Sequence, residues 1–400
     1  MMKNNDLKKT TIINNISFNN KWIVNSTELL FYFVLSFNFI YVLYYTVYSS
    51  LYNYFHYIIF FFTVLLFVSS QKIKFKLINT VKLIIFLVLS AAAIFINHSG
   101  IGLLILIFWP LSIIYIFKNV NFSKNYINRL NIIILTGWEL AIIATSQYTT
   151  LYFDNFNSET IGINPNTIAI VIAIACLFIA LHIDNSSKPK SLKIIVYILS
   201  VLALCRTRSR TSLVAFLAIL MMEFFLKKQI KKSKKLAILV MIAIVALGII
   251  FPFVYVILFN KGILAYETLF FGKRIYTGRQ YIWLNLWNYV QTNKNAYIWG
   301  VGYNTELYSR GTFNLHNAYL MIFAQYGIPL LILYLIYLFC VVSKMFGKFG
   351  RISDLQFKCY QIILFALIVG YGETVLSYLP NMIFFATAIG IGYRERTKEL

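Results

Sequence analysis

Long apolar stretches alternate with short polar breaks along the whole chain. Each stretch approaches the roughly 20 mostly apolar residues that a helix needs to cross the hydrocarbon layer of a bilayer. Lipid offers no partner to a free backbone group, and no barrel-length segment alternates with a period of two, so helices are predicted. The pattern predicts twelve spans, at residues 27–48, 50–69, 77–97, 100–117, 129–148, 165–183, 191–205, 211–226, 235–259, 317–343, 356–374 and 378–393.

The composition agrees with this pattern. Hydrophobic residues make up 60% of the chain and charged residues 12%, whereas about a quarter of the residues in a soluble domain are charged. The predicted fold class is therefore an all-α integral membrane protein with about twelve transmembrane helices. The four cysteines are scattered, without a Cys-x-x-Cys pair or a nearby histidine, so we expect neither disulfides nor a metal cluster.

The positions of Lys and Arg set the orientation, because short cytoplasmic loops retain them and translocated loops lack them. Residues 1–26 are polar and basic, without the apolar core of a cleavable signal peptide, so we expect them on the cytoplasmic side. The run KKQIKKSKK (227–235) then also lies inside, as a loop that faces lipid headgroups. A net charge of +23 therefore reflects membrane orientation and not nucleic-acid binding. The predicted division is a cytoplasmic segment 1–26, helices one to nine in 27–259, a large extracytoplasmic loop 260–316, helices ten to twelve in 317–393 and a cytoplasmic tail 394–400.

Two of the predicted outer loops carry cations, against the rule that shapes the rest of the chain. The first is the short stretch CRTRSRTSL (205–213), and the second is the large loop 260–316. A long loop tolerates charge, but that explanation does not extend to a five-residue turn. We therefore expect an anionic ligand on the outer side, bound by some of the cations Arg206, Arg208, Arg210, Lys261, Lys273, Arg274, Arg279, Lys294 and Arg310.

The arginine turn has the chemistry of a phosphate site. Ser209 or Thr211 could cap the following helix, whose N-terminus would face outward and add free N–H groups to the charges of Arg208 and Arg210. A planar guanidinium can hold two phosphate oxygens at once. Because Arg208 and Arg210 cannot face the same way on a regular helix, the turn is predicted to be irregular.

The large loop adds a helix and a histidine. Its segment GRQYIWLNLWNYV (278–290) places an apolar stripe on one helical face, which either lies in the membrane interface or packs against the core. His316 and Asn317 open the tenth predicted span. Two carboxylates, Glu139 and Glu373, lie in or near the membrane, where charges are costly, and are second-tier candidates together with Asn317. Glu139 could equally be protonated and hydrogen-bonded within the bundle.

Four motifs in this order resemble a known family. They are SRT (209–211), GRQYIW (278–283), WGVGYN (299–304) and HNAYLMIFAQYGIPLLIL (316–333). Over about residues 200–340 the chain is similar to the O-antigen ligase and polymerase superfamily of bacterial envelope polysaccharide assembly, whereas the first half matches only in hydropathy. The resemblance implies a multi-pass, GT-C-like glycosyltransferase that uses polyprenyl-diphosphate-linked sugars without a metal or another cofactor.

The resemblance also implies roles for individual residues. Arg210 in SRT and Arg279 in GRQYIW would bind the donor diphosphate, and His316 in HNAYL would be the base or would position substrate. Arg206 and Arg208 have no counterpart in the motifs, and Thr211 stands where a small glycine is frequent. A single displacement of the diphosphate by the acceptor would invert the anomeric centre.

The sequence leaves three functions open. The first is a polymerase that joins lipid-diphosphate-linked repeat units at the outer face of the cytoplasmic membrane, in capsule, exopolysaccharide or O-antigen assembly. The second is a ligase that moves the finished glycan to another acceptor, and the third is a flippase of lipid-linked sugar. We see no internal repeat and the arginines cluster on one side, which disfavours a flippase. A polymerase binds two lipid-diphosphate substrates and so needs more cations than a protein that binds one. The number of outer arginines therefore favours the polymerase: Arg206, Arg208, Arg210, Arg274, Arg279 and Arg310. A flippase and a chain-length regulator are the expected protein partners.

Overall fold

A computed structural model describes residues 27–40, 58–59, 61–66, 88, 92, 95, 113–118, 120, 126–148, 165–186, 188–263, 269–270, 273–276, 278–302, 314–346, 351–376 and 379–398. The predicted segment 1–26 and most of the predicted spans 50–69, 77–97 and 100–117 lie outside these residues. Arg310 also lies outside them.

The described residues are almost entirely helical. A two-residue strand β1 (Leu269–Phe270) pairs antiparallel with β2 (Lys273–Arg274). A π-helical turn lies at Met222–Leu226, and short helical stretches lie at 61–66 and 113–118. The principal helices are α1 (Thr27–Ile40), α2 (Tyr126–Tyr148), α3 (Pro165–Asp184), α4 (Lys190–Thr207), α5 (Arg210–Met221), α6 (Lys227–Lys232), α7 (Lys234–Asn260), α8 (Arg279–Thr292), α9 (Ala296–Trp299), α10 (Ala318–Met345), α11 (Asp354–Val369) and α12 (Leu379–Lys398).

The helices confirm that the chain is a membrane protein, but not that it has the twelve predicted spans. Within the described ranges, four helical segments are long and apolar enough to cross a bilayer: Tyr126–Thr145, Pro165–Asp184, Lys234–Asn260 and Ala318–Met345. Helices α4, α5, α11 and α12 coincide with four more of the predicted spans. The number twelve and the division into a large loop and two helical blocks remain predictions.

Helix α3 is the centre of the bundle. It packs against α2, α4, α5 and α11, and nearly all of its side chains are buried. By contrast, α4 and α7 expose large apolar side chains such as Ile194 and Leu239 on one side. Exposed apolar surface on this scale is what helices that face lipid require.

A buried ion cluster joins α3, α4, the π-helical turn after α5 and α11, where α3 ends and α11 begins. We define it as Asp184, Lys193, Tyr197, Glu223 and Lys358. Lys193 Nζ lies 2.7 Å from Asp184 Oδ1 and 3.1 Å from Glu223 Oε1. Lys358, only 1% exposed, pairs with Glu223, donates to Tyr197 Oη at 3.0 Å and lies 3.6 Å from Asp184 Oδ2. Two lysines therefore balance two carboxylates, which is the condition for burying charge at all.

Glu223 lies within the π-helical turn and continues the buried face of α5, which includes Phe216 and Ile219. Its neighbours Phe224 and Phe225 are exposed. The carboxylate therefore points inward, and the two phenyl rings lie on the outer surface of the bundle.

We expect Lys358→Met to destabilise the protein by about 3–5 kcal/mol, because Glu223 and Asp184 would then face the single charge of Lys193 in a buried setting. The double variant Glu223→Gln/Lys358→Met should recover most of this loss, since the neutral pair Asp184–Lys193 remains. The measurement is the midpoint of thermal unfolding in detergent micelles, and Lys228→Met, at an exposed lysine, is the matched control. A double variant as unstable as the single one would show that charge imbalance is not the cause.

Candidate functional site

The arginine turn between α4 and α5 is irregular, as the sequence predicted. Arg208 adopts left-handed backbone angles (φ 53°, ψ 24°), and its N–H donates to the carbonyl of Cys205 at 3.1 Å. Ser209 then takes an extended conformation, and α5 begins at Arg210. Arg208 is exposed whereas Arg210 is half-buried, so the two guanidinium groups lie in different surroundings.

The predicted cap of α5 is only partly present. Ser209 occupies the N-cap position, but its side chain accepts no backbone N–H, and its hydroxyl donates to Ser212 Oγ at 3.1 Å. Thr211 lies inside the helix, so its role as a cap was a wrong prediction. The second residue of a helix already has helical backbone angles, so its side chain points away from the free N–H groups that a cap would bind.

Arg210 and Arg279 lie close together, although 69 positions separate them in the chain. Partial burial lowers the pKa of the Arg210 guanidinium, Tyr255 opposes this shift, and the positive charge of Arg279 adds to it. Gly372 lies between the two segments, since a Cβ atom there would be 2.7 Å from Thr211 Oγ1 and 2.8 Å from Arg279 Nη1. The SRT and GRQYIW motifs therefore meet at one point.

Glu373 is the carboxylate at this point. It lies in the turn after α11, is 9% exposed, and accepts hydrogen bonds at Oε1 from Arg279 Nη2 (2.9 Å) and Asn166 Nδ2 (2.8 Å). Asn166 is the second residue of α3. A single carboxylate oxygen thus ties together α3, α8 and the end of α11.

His316 lies on the other side of Glu373. Its Nδ1 is 3.9 Å from Glu373 Oε2 and has no hydrogen-bond partner among the described residues. The side chain as a whole is 35% exposed. The backbone has a positive φ of 49°, and the His316 N–H donates to Asn314 Oδ1 at 2.8 Å. We call Arg210, Arg279, His316 and Glu373 the Arg–Glu–His cluster; it carries two guanidinium groups against one carboxylate.

Asn317 is a structural residue of this site. Its Oδ1 caps α10 by accepting from the N–H groups of Tyr319 (3.0 Å) and Leu320 (2.8 Å). Its Nδ2 donates to the carbonyls of Gly248 (3.2 Å) and Tyr371 (3.1 Å). The side chain is fully buried, so these contacts fix α10, α7 and the turn before Glu373 relative to one another.

The WGVGYN motif packs against a break in α10. At Gly327 the backbone leaves the helical region (φ 79°, ψ 178°), and a Cβ atom there would lie 2.1 Å from the carbonyl oxygen of Ile298. At Gly300 (φ 81°) a Cβ atom would lie 2.6 Å from the backbone nitrogen of Tyr326. The N–H of Val301 donates to the carbonyl of Ala324 at 2.6 Å. Both glycines are therefore needed for the backbone around Gly300 to contact the backbone at the break in α10. This contact explains why WGVGYN packs against the segment AQYGIP (324–329).

The apolar stripe of α8 supports the core-packing alternative. Trp283, Leu286 and Val290 are buried, and Trp283 Nε1 donates to the carbonyl of Leu315 at 2.7 Å. This bond holds the segment that leads into His316. Trp287 is 39% exposed and packs edge-on against Phe253 of α7.

Several predicted residues do not join the Arg–Glu–His cluster. Arg206, Arg208 and Arg274 are exposed, and Arg310 lies outside the described residues. Glu139 is exposed on α2, and its second-tier role remains a prediction. Among the described residues, no three His, Cys, Asp or Glu side chains are grouped closely enough to hold a metal ion.

Two contributors were missed by the sequence reasoning: Asn166 and Gly372. Asn166 follows a proline at the start of an apolar span, where a buried polar side chain is costly unless it has a partner. That cost could have marked Asn166 as a candidate from the sequence. Nothing in the sequence marks Gly372, because its importance depends on Thr211 and Arg279, which lie far away in the chain.

The family model described as O-antigen ligase matches residues 195–335. No curated protein matches the chain. The match confirms, over this region, the resemblance to the O-antigen ligase and polymerase superfamily, and it supports a glycosyltransferase-like membrane enzyme that works on lipid-linked glycans. The matched region contains Arg210, Arg279 and His316, whereas Asn166 and Glu373 lie outside it.

We expect Asn317→Ala to destabilise the fold, because the cap of α10 contributes about 1 kcal/mol and the stranded buried partners add about 1–3 kcal/mol. His316→Ala, at the adjacent residue, should change stability by less than about 1 kcal/mol, since that ring is partly exposed and its side chain makes no hydrogen bond to the described residues. Thermal unfolding of both variants in micelles is the measurement. Equal destabilisation of the two would contradict the structural role assigned to Asn317.

Proposed function

We propose that the protein is a polymerase of polyprenyl-diphosphate-linked oligosaccharide repeat units. The observation that carries the proposal is the meeting of Arg210 and Arg279 beside His316, three residues from three separate family motifs. The two guanidinium groups of the Arg–Glu–His cluster suit an anionic substrate, and the family match supports a lipid-linked glycan.

The proposed reaction is a single displacement that needs no metal. Arg210 and Arg279 bind the donor diphosphate, and His316 accepts the proton of the acceptor hydroxyl. As the glycosidic C–O bond breaks, negative charge grows on the departing diphosphate, and the two fixed guanidinium groups stabilise it. Attack from the face opposite the diphosphate inverts the anomeric centre.

The orientation of the site follows from the distribution of lysines. The run at 227–235 lies at the same end of the bundle as the buried ion cluster, because α5 and its π turn lead into it. The Arg–Glu–His cluster lies at the other end of α3, about 30 Å away for a helix of 20 residues. If the lysine run is cytoplasmic, the site faces outward from the cytoplasmic membrane, where a flippase would deliver the repeat units and a chain-length regulator would control their number.

The exposed arginines favour a polymerase over a ligase. A polymerase brings two lipid diphosphates together, whereas a ligase needs only one in the donor position. Arg206 and Arg208 are exposed in the turn directly before Arg210, where they can receive a second anionic headgroup. The ligase, which transfers finished glycan to a different acceptor, remains the second candidate, and a flippase is the third.

Arg210→Lys and Arg279→Lys should each leave the protein folded and lower glycan transfer by about 10²-fold, because an ammonium group cannot hold two phosphate oxygens at once. Transfer is measured with purified lipid-linked repeat units at equal enzyme concentration. Arg351→Lys, at an exposed arginine in the segment before α11, is the matched control and should transfer normally. Near-normal transfer by either of the first two variants would remove that arginine from the diphosphate site.

His316→Ala should keep donor binding and lower turnover by about 10²–10⁴-fold, the range for a lost general base. In cells, the lipid-linked sugars are extracted, sized and tested for cleavage by an externally added glycosidase. A blocked polymerase leaves single repeat units accessible from outside, which is the expected result. Long lipid-linked chains would instead identify a ligase, and single units protected from the glycosidase would identify a flippase. Unchanged polymer would show that His316 only begins a helix.

A further inference from the structure

The two carboxylate oxygens of Glu373 differ in their surroundings. Oε1 accepts from both Arg279 and Asn166, so its hydrogen-bonding capacity is used. Oε2 accepts no hydrogen bond from the described residues and faces Nδ1 of His316 at 3.9 Å. The Arg279 and Asn166 contacts prevent the carboxylate from turning away, since any rotation would break one of two bonds to a largely buried group.

The buried edge of the His316 ring also lacks a hydrogen-bond partner among the described residues. Nδ1 is inaccessible to solvent and has no hydrogen-bond partner among the described residues, although the ring is about one third exposed. The accessible part of the ring is therefore the opposite edge, which carries Nε2. A buried polar nitrogen without a partner is costly, and a hydrogen bond to a charged acceptor is among the stronger ones. Closing the gap requires a movement of about 1 Å, since such bonds are about 2.8 Å long.

From this arrangement we infer that Glu373 is the positioning residue for His316, which it holds with the proton on Nδ1 and the lone pair on Nε2. This inference rests on the proposed function. In the transfer step, the acceptor O–H bond breaks and its proton moves to Nε2. The acceptor oxygen forms the new bond to the anomeric carbon, and the electron pair of the old C–O bond leaves with the diphosphate. The imidazolium that results is paired with the carboxylate of Glu373.

Glu373 also connects the base with the donor site. The carboxylate that orients His316 is the same one that fixes Arg279, and Asn166 holds it in place from α3. Because α3 is buried along nearly its whole length, this support comes from a helix that is packed on all sides. The base and one of the two phosphate-binding arginines are thus set at a fixed distance from each other.

The test is Glu373→Gln, which keeps the size of the side chain and an oxygen for Arg279 and Asn166. The amide group in place of Oε2 can donate but not accept, so His316 should shift its proton from Nδ1 to Nε2. We expect kcat to fall by at least about 10²-fold, with the KM for the lipid-linked donor changed less than about threefold. Asp354→Asn, a carboxylate-to-amide change at the opposite end of the bundle, is the control with normal kinetics.

A second measurement is independent of the reaction. ¹⁵N NMR of histidine-labelled protein, with His316 assigned by its loss in His316→Ala, reports which ring nitrogen carries the proton. The wild-type protein should show it on Nδ1 and Glu373→Gln on Nε2. A wild-type proton on Nε2 would overturn the inference even if Glu373→Gln failed to fold.

The kinetic outcomes separate this inference from the proposed function. An unchanged kcat in Glu373→Gln would overturn the positioning role. A rise in KM with the proton still on Nδ1 would overturn it too, because Glu373 would then act only through Arg279. If instead the wild-type protein did not transfer lipid-linked units while the proton shifted as expected, the proposed reaction would fail and the pairing of Glu373 with His316 would stand.

Discussion

The buried side chain of Asn317 hydrogen-bonds to four backbone groups from three separate parts of the chain. Two of these groups begin α10, one lies in the middle of α7 and one lies in the turn that carries Glu373. In the interior of a membrane protein each of them would otherwise be an unsatisfied polar group at a cost of several kcal/mol. The placement of the Arg–Glu–His cluster depends on this junction, because His316 precedes Asn317 directly and Glu373 follows Tyr371 by two residues.

The charged side chains near the two ends of α3 are arranged differently. At its last residues, the lysines and carboxylates of the buried ion cluster balance, and every charge has a partner of opposite sign. At its first residues, Asn166 and Arg279 hold the carboxylate of Glu373, and Arg210 adds a second guanidinium group nearby. A balanced and buried cluster stabilises the packing of helices, whereas partly exposed guanidinium groups can attract an external anion. This difference supports a binding function at one end and a structural function at the other.

Backbone contact places the motifs at the site. Gly300 and Gly327 allow the segment after α9 to touch the break in α10, and Trp283 anchors α8 to the residue before His316. These contacts hold the GRQYIW and HNAYL motifs in a fixed relation, so that Arg279 and His316 reach the same carboxylate. Much of what resembles a family signature in this region is therefore packing, and only a few of its polar side chains remain for chemistry.

The sequence by itself determined most of the helices and the irregular arginine turn. Apolar length and residue spacing are local properties, and they were enough to predict the helices α2 to α5, α7 and α10 to α12 and the turn at Arg208. Arg210, Arg279 and His316 were chosen from the motifs, and their roles remain predictions. Only the tertiary structure decided the partners. Glu373 meets Arg279 across 94 positions and Asn166 across 207, and Gly372 matters because of side chains from two other helices. Such pairings depend on which helices pack together and at what level, and helical hydropathy does not specify this because any apolar face can pack against any other.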